Sequence, residues 1–266
     1  IYIAFVFIFG LSLVMAELVI GRSTQKNPVG ALKQLAGGTW PLVGVLGILT
    51  GFVILSFYIV VSGWTLAYIG FMVSGRLASA DPATLGDAFS GFIGESIKPT
   101  LYAGLFMLIT AATVVGGIGK GIERVAKLLM PVLLILLLIL VVRALTLPGA
   151  GAGLAFYLAP DFSAVNAGTW TAAIGQAFFS LSLGMGALIT YGSYMKKEQA
   201  LPASAASVVA LDTGIAILAG FMILPAVFAF NFDPASGPGL AFITLPAVFA
   251  SMPGGIVFGV LFFALL

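Results

Sequence analysis

Apolar runs of membrane-spanning length recur along this chain and leave it no way to fold as a water-soluble globule. They lie near 1–20, 42–74, 100–118, 124–147, 168–195 and 201–230, and a seventh begins near 254. A hydrocarbon core roughly 30 Å thick is crossed by about 20 helical residues, so each complete run reads as one transmembrane helix. The second is long enough to require tilt or protrusion beyond the bilayer. Of the 266 residues 61% are hydrophobic and 8% charged, and mean hydropathy is +1.20. That is too little polar surface to enclose a soluble core. The expected fold is all-α and membrane-integral, about six full spans and the start of another, with the lipid bilayer as its principal partner.

The fifth run carries its own interruption. Gly175-Gln-Ala-Phe-Phe-Ser-Leu-Ser-Leu-Gly-Met-Gly186 sets glycines and serines where an unbroken apolar helix is otherwise favoured. In hydrocarbon, non-helical backbone survives only where protein or a polar cavity surrounds it. A break there exposes two half-helix ends, one offering carbonyl oxygens to cations and the other amide hydrogens to anions. Carbonyls near Phe179, Ser180 and Ser182 belong to the negative end. Transport of a small molecule or an ion is the function this suggests. The plainer reading is that the serines bond back to their own helix and the glycines permit close packing.

Several other classes are set aside by composition and context. With neither cysteine nor histidine, the chain has no disulfide framework, no thiolate metal site, and none of the commonest general base. It does not read as an enzyme, and no organic cofactor is implied. A net charge of +2 with dispersed positives gives no argument for nucleic acid. Gly117-Ile-Gly119-Lys-Gly121 looks like a phosphate loop, but no strand precedes it and no Ser or Thr follows the lysine; it reads as a cytoplasmic turn. Asp212-Thr-Gly214 spells an aspartic-protease triplet. It sits in a helical apolar run, however, and Glu17 is the only other intramembrane acid with which to share a proton.

Basic residues give an orientation, because cytoplasmic loops carry the excess of Lys and Arg. If the first span runs inward, one side receives Arg22, Lys26, Lys33, Lys120, Arg124, Lys127, Lys196 and Lys197, and the other only Arg76, Lys98 and Arg143. Asp81, Asp87, Glu95, Asp161 and Asp233 fall on the poorer side, so the first loop is expected in the cytoplasm. The chain opens Ile1-Tyr-Ile-Ala and closes within an apolar run, which reads as an internal fragment. Its first run lacks the leader of a cleavable signal. Residues 231–255, punctuated by Asp-Pro, Gly-Pro-Gly and Pro-Gly-Gly, read as a structured outer loop with its own turn of helix, able to act as a lid.

Five signatures in order make the chain resemble the neurotransmitter:sodium symporter family, particularly its bacterial amino-acid transporters. They are Glu17-Leu-Val-Ile-Gly-Arg22; Tyr58 with Ser62-Gly-Trp64; Gly119-Lys-Gly-Ile-Glu-Arg124; the broken run through Ala187; and Gly239-Leu-Ala-Phe-Ile-Thr-Leu-Pro246. The resemblance covers the whole chain. It implies an inverted-repeat transporter fold with discontinuous helices, one transmembrane transporter domain over 1–266, running from the family's second helix to the start of its eighth. The broken first helix and everything after the start of the eighth, with the second sodium site, would lie outside. Sodium-coupled symport of an amino acid across the inner (cytoplasmic) membrane by alternating access is the implied function. A non-transporting sensor or scaffold on the same fold is the alternative.

Residue by residue, the resemblance gives Ser180 and Asp212 to the first sodium ion, and carbonyls near Phe179, Ser180 and Ser182 to the substrate ammonium. Phe179 becomes an aromatic lid, against ordinary helix packing. Met185 stands where many relatives carry Phe, and its thioether adapts its shape. The Tyr58 hydroxyl would meet the substrate carboxylate, against a bond to a neighbouring helix carbonyl, and Ile54 one turn earlier would line the apolar side. With no acid or base for a charged side chain among Ile54, Phe179 and Met185, a neutral hydrophobic or aromatic amino acid is expected.

Intramembrane acids cost several kcal/mol at mid-depth and are functional candidates for that reason. For Glu17 the resemblance implies bonds to amides freed by the break; pairing with Arg22 is the alternative. Asp212 has no basic neighbour in sequence. Some bacterial relatives hold a glutamate one turn beyond it, where this chain has Ala216, so Asp212 alone would serve as ligand and as counter-charge in place of chloride. Gln176, Gly184 and Gly186 belong to the conformational apparatus of the break. Gly121 and Pro131 read as a segment of the fourth span that unwinds or as a static kink. Tyr191 and Tyr194 resemble inner-gate tyrosines, where interfacial anchoring is the plainer account.

Overall fold

The computed structural model describes residues 1–117, 121–235, 237 and 239–266. Among them the secondary structure is helical throughout, without strands. In chain order the helices are α1 (Tyr2–Thr24, with a π-turn at Val6–Gly10), α2 (Pro28–Leu35), α3 (Pro41–Val73), α4 (Pro82–Ile93), α5 (Ile97–Val115) and α6 (Glu123–Leu145). Then follow α7 (Ala150–Leu158), α8 (Ala167–Ser180), α9 (Ala187–Ser193), α10 (Leu201–Ala229), α11 (Gly239–Ala250) and α12 (Gly255–Leu265). Helices α1, α3, α5, α6 and α10 are long and apolar enough to cross a membrane. The chain is a multi-pass membrane protein.

Local chemistry accounts for most boundaries. Asn27 caps α2 by accepting the Gly30 N–H at 2.8 Å, with Pro28 at the first helical position, where a missing N–H leaves no bond unmade. Asp81 does the same for α4, accepting from the Thr84 backbone and hydroxyl, bonds that hold its carboxyl below the usual range. Asn166 and Thr169 form a reciprocal capping box at the start of α8. The C-terminal stops at Gly75 and Asn231 use left-handed backbone with paired 6→1 and 5→2 bonds, Arg76 N–H to Phe71 and Gly75 N–H to Met72 being one set.

The chain divides into two compact units. Residues 1–56 and 161–216 form one, residues 57–160 and 217–266 the other, and the boundaries fall within α3 and α10. In the first, α1 and α9 are pressed together. A Cβ at Gly21 would overlap the Ile189 carbonyl, and one at Gly192 would overlap the Leu18 carbonyl, so each glycine admits the other helix's backbone. Val14, Leu18, Leu181, Leu188 and Val209 are buried around this crossing.

The second unit is organised on aromatic rings. Trp64 meets Phe89 and Phe242 edge-on at 5.3 and 5.5 Å between centroids, and Tyr68 meets Phe242 at 5.0 Å, geometries that ring quadrupoles favour. Gly63 lies against the Ala103 backbone. Arg143 donates through Nη2 to the Ser251 carbonyl and hydroxyl at 2.5 and 3.2 Å, tying α6 to the turn that joins α11 and α12.

Two differences from the sequence expectation stand out. The outer segment holds not one turn but a twelve-residue helix, α11, with Phe242 and Thr244–Phe249 buried and Pro246 accommodated inside it. Short helices α2, α4 and α7 occupy connections in which no run of spanning length exists to reveal them. Gly121 and Ile122 take π-helical backbone that runs directly into α6, and a Cβ at Gly121 would overlap the Thr113 carbonyl. Pro131 sits inside a helix assigned without interruption over Glu123–Leu145. Gly119 and Lys120, parts of the third signature and of the phosphate-loop look-alike, lie outside the described residues.

Candidate functional site at the helix break

Helix α8 stops at Ser180 and the chain resumes helical geometry at Ala187. Ser182, Gly184 and Gly186 take φ values of 56°, 79° and 76°. Left-handed backbone at every second residue cannot continue a right-handed helix. The stop is a Schellman arrangement: the Leu183 N–H donates to the Phe178 carbonyl at 2.9 Å, and the Ser182 N–H to the Phe179 carbonyl at 3.1 Å. Serine occupies the left-handed position usually given to glycine, at a cost of order 1 kcal/mol. The sequence pattern marks Gly184 and Gly186 as turn residues but carries no sign that Ser182 turns too.

The far side of the break is anchored by α1. The Gly184 N–H donates to Glu17 Oε1 at 2.8 Å, while Glu17 Oε2 is buried with no hydrogen-bond partner among the described residues. Arg22 does not pair with Glu17; its Nη1 donates to the Gln199 carbonyl at 2.8 Å. Removing the carboxylate leaves a break amide without its acceptor. Glu17→Ala is expected to lower stability by about 2 kcal/mol, and Glu17→Gln, which keeps an acceptor oxygen, by less. Thermal unfolding in detergent micelles reads the difference.

Ser180 and Asp212 meet across 32 residues of sequence, the serine Oγ donating to Asp212 Oδ2 at 2.6 Å. The contact opens on a cavity of about 590 Å³ whose wall includes Leu18, Ser182, Tyr191, Ser204 and Val208. Ser204, Val208 and Asp212 follow one another at four-residue steps, so they share one face of α10. Among these groups the polar ones offer oxygen only, a donor set that suits a hard cation.

The remaining expected residues fall as follows. Ile54, half-buried on α3, belongs to the first unit, and Tyr58 one turn further belongs to the second. Phe179 is part-exposed on the last turn of α8, and Gln176 is exposed one turn earlier. Met185 lies in the break facing α3, where its carbonyl is 3.9 Å from a Cβ position at Gly51. Tyr191, in the last turn of α9, and Tyr194, just past its end, are both exposed; Tyr191 borders the cavity and Tyr194 is not among its lining residues. The residues that sequence reading missed are Gly44 and Gly47. A Cβ at Gly47 would stand 3.0 Å from the Gly184 carbonyl, and one at Gly44 would overlap the Val29 backbone. The only available signal was their spacing with Gly51 along one face of α3.

An all-helical membrane fold with a span broken beside a largely apolar cavity that Ser180, Ser182 and Asp212 border is the architecture of the discontinuous-helix class of transporter folds. The sequence model described as the sodium:neurotransmitter symporter family matches residues 93–266, and the chain belongs to that family, which is one of transporters and not of enzymes. It is similar to the uncharacterized sodium-dependent transporter YhdH of Bacillus subtilis, 41% identical over 99% of this chain and 58% of that protein. An uncharacterized sodium-dependent transporter of Haemophilus influenzae is 40% identical over 97% of this chain and 59% of its own length. The crystal structure of MhsT in complex with L-phenylalanine superposes with a TM-score of 0.95 at 49% identity, covering 100% of this chain and 60% of that one. The chain thus spans about three fifths of the length of these relatives.

Proposed function

We propose that the protein couples the inward movement of sodium to uptake of a neutral, hydrophobic or aromatic amino acid across the cytoplasmic membrane, by alternating access. The observation that carries this is the Ser180–Asp212 contact at the carbonyl end of α8, opening on a cavity large enough for a small solute. In this reading Ser180 and Asp212 hold the first sodium ion as cargo. The negative end of α8 near Phe179, Ser180 and Ser182 receives the substrate ammonium. Tyr58 addresses the substrate carboxylate, and Ile54, Phe179 and Met185 form the apolar wall. Glu17, Gln176, Gly184 and Gly186 govern the shape of the break, Tyr191 and Tyr194 act at the inner gate, and Gly121 and Pro131 lie on the segment that yields during release. Support for the substrate class comes from the L-phenylalanine in the MhsT complex and from the lack of any charged group on that wall.

The test is uptake of labelled phenylalanine by the full-length protein in liposomes. An inward sodium gradient is expected to drive accumulation, and choline in its place to abolish it. Unlabelled leucine, tryptophan or methionine should compete strongly and lysine or glutamate weakly. Sodium-independent uptake, or preference for a charged amino acid or another kind of solute, overturns the reading.

A further inference from the structure

The crossing of α1 and α9 brings two basic segments of the first unit together. Past the close contacts at Gly21 and Gly192, Arg22 Nη1 holds the Gln199 carbonyl, and the Lys196 N–H donates to the Gln199 side chain at 2.9 Å. Lys26 lays its stem over the first turn of α2, its Cβ and Cδ 3.3 and 3.4 Å from a Cβ position at Gly30. Lys33 follows in the last turn of α2. Residues 22–33 and 194–199 therefore present Arg22, Lys26, Lys33, Lys196 and Lys197 with Glu198 as their sole acid. Among the described residues the ion pairs are Lys98–Glu95 and Lys127–Glu123, so none of these cations is matched to a carboxylate. Exposed aromatics border the same segments in sequence, Trp40 after α2 and Tyr191 and Tyr194 before Lys196. Such rings favour the headgroup level of a bilayer.

We propose that this surface binds the phosphate of an anionic phospholipid headgroup in the leaflet it faces, with Lys26 on one segment and Lys196 and Lys197 on the other. The partner's chemistry follows from two features together. Uncompensated positive charge attracts an anion, and bordering aromatics favour an anion at headgroup depth over one in bulk water. A bound headgroup bridges the loop after α1 to the loop after α9, so it holds the inner end of the broken span against α1. Zwitterionic lipid, carrying its own cation, lacks the net charge to do this.

Native mass spectrometry of the full-length protein, released from micelles containing phosphatidylglycerol or phosphatidylcholine, tests the proposal. Wild type is expected to retain phosphatidylglycerol preferentially. Each Lys→Gln change should weaken retention about fivefold, and K26Q/K196Q/K197Q together on the order of a hundredfold, with phosphatidylcholine retention unchanged. The triple Lys→Arg variant should keep the preference, and Lys98→Gln, on an unrelated exposed pair, should leave it intact. Equal retention of the two lipids by wild type, or undiminished phosphatidylglycerol binding by the triple glutamine variant, overturns the proposal. So does displacement of the lipid by millimolar inorganic phosphate, which would mark a site for free anions.

Discussion

Uptake by wild-type protein is expected to be the same in chloride and in gluconate, and Asp212→Asn is expected to lose sodium-driven uptake in gluconate by tenfold to a hundredfold, roughly the 1.5–3 kcal/mol of an uncompensated buried cation. Asp212 faces Ser180 at 2.6 Å, and the next turn of the same helix offers Ala216. No second acid stands on that face to balance a cation. On the proposed reading the carboxylate acts as ligand and as counter-charge, so neutralising it should raise the cost of sodium occupancy unless another anion enters. Chloride should restore part of the activity of Asp212→Asn, and more of it in Asp212→Asn/Ala216→Ser, where a hydroxyl can help hold the anion. A wild type that needs chloride, or an Asp212→Asn protein with unchanged sodium affinity, removes Asp212 from this role.

Gly192→Leu is expected to be strongly damaging although it lies away from the proposed ion site. Its side chain would enter the Leu18 backbone, and the α1–α9 crossing offers no flexible neighbour to yield, because the groups in the way are backbone atoms. Overpacking of this kind destabilises by about 3 kcal/mol, so a thermal midpoint several degrees lower should follow in micelles. Gly21→Leu meets the Ile189 carbonyl and should behave alike. Gly104→Ala on α5, with nothing within 4 Å of its Cβ position, serves as the contrast and should not lower the midpoint. Equal effects at Gly192 and Gly104 would show that helix propensity, not the crossing, governs these positions.

Much of the candidate site was legible because its residues break rules that the bilayer enforces. Glycine and serine inside an apolar run, and acids at Glu17 and Asp212 within spans, stand out against a background that excludes them. Their partners were less legible. Two destinations were open for Glu17, Arg22 five residues away or the break 167 residues away, and the structure has Gly184 donating to it. Gly44 and Gly47 carried little signal, since glycine on an apolar helix face reads equally as indifferent spacing.

What the sequence by itself determined is what adds up along the chain: the approximate limits of the apolar spans, the all-helical class, and the place where the fifth run must break. These depend on hydropathy summed over about 20 residues and on backbone preferences local to a few of them. What only the tertiary structure decided is which faces meet: Ser180 with Asp212, Glu17 with Gly184, Gly21 with Ile189 and Gly192 with Leu18. The physical reason is that a helix in an apolar solvent has nearly the same energy at any rotation about its axis. Its orientation is set by close packing and by a few buried polar bonds, which come into being only when distant segments are already side by side. Ser182 belongs with these, for serine accepts left-handed backbone only where the Phe178 and Phe179 carbonyls are placed to bond the amides that follow.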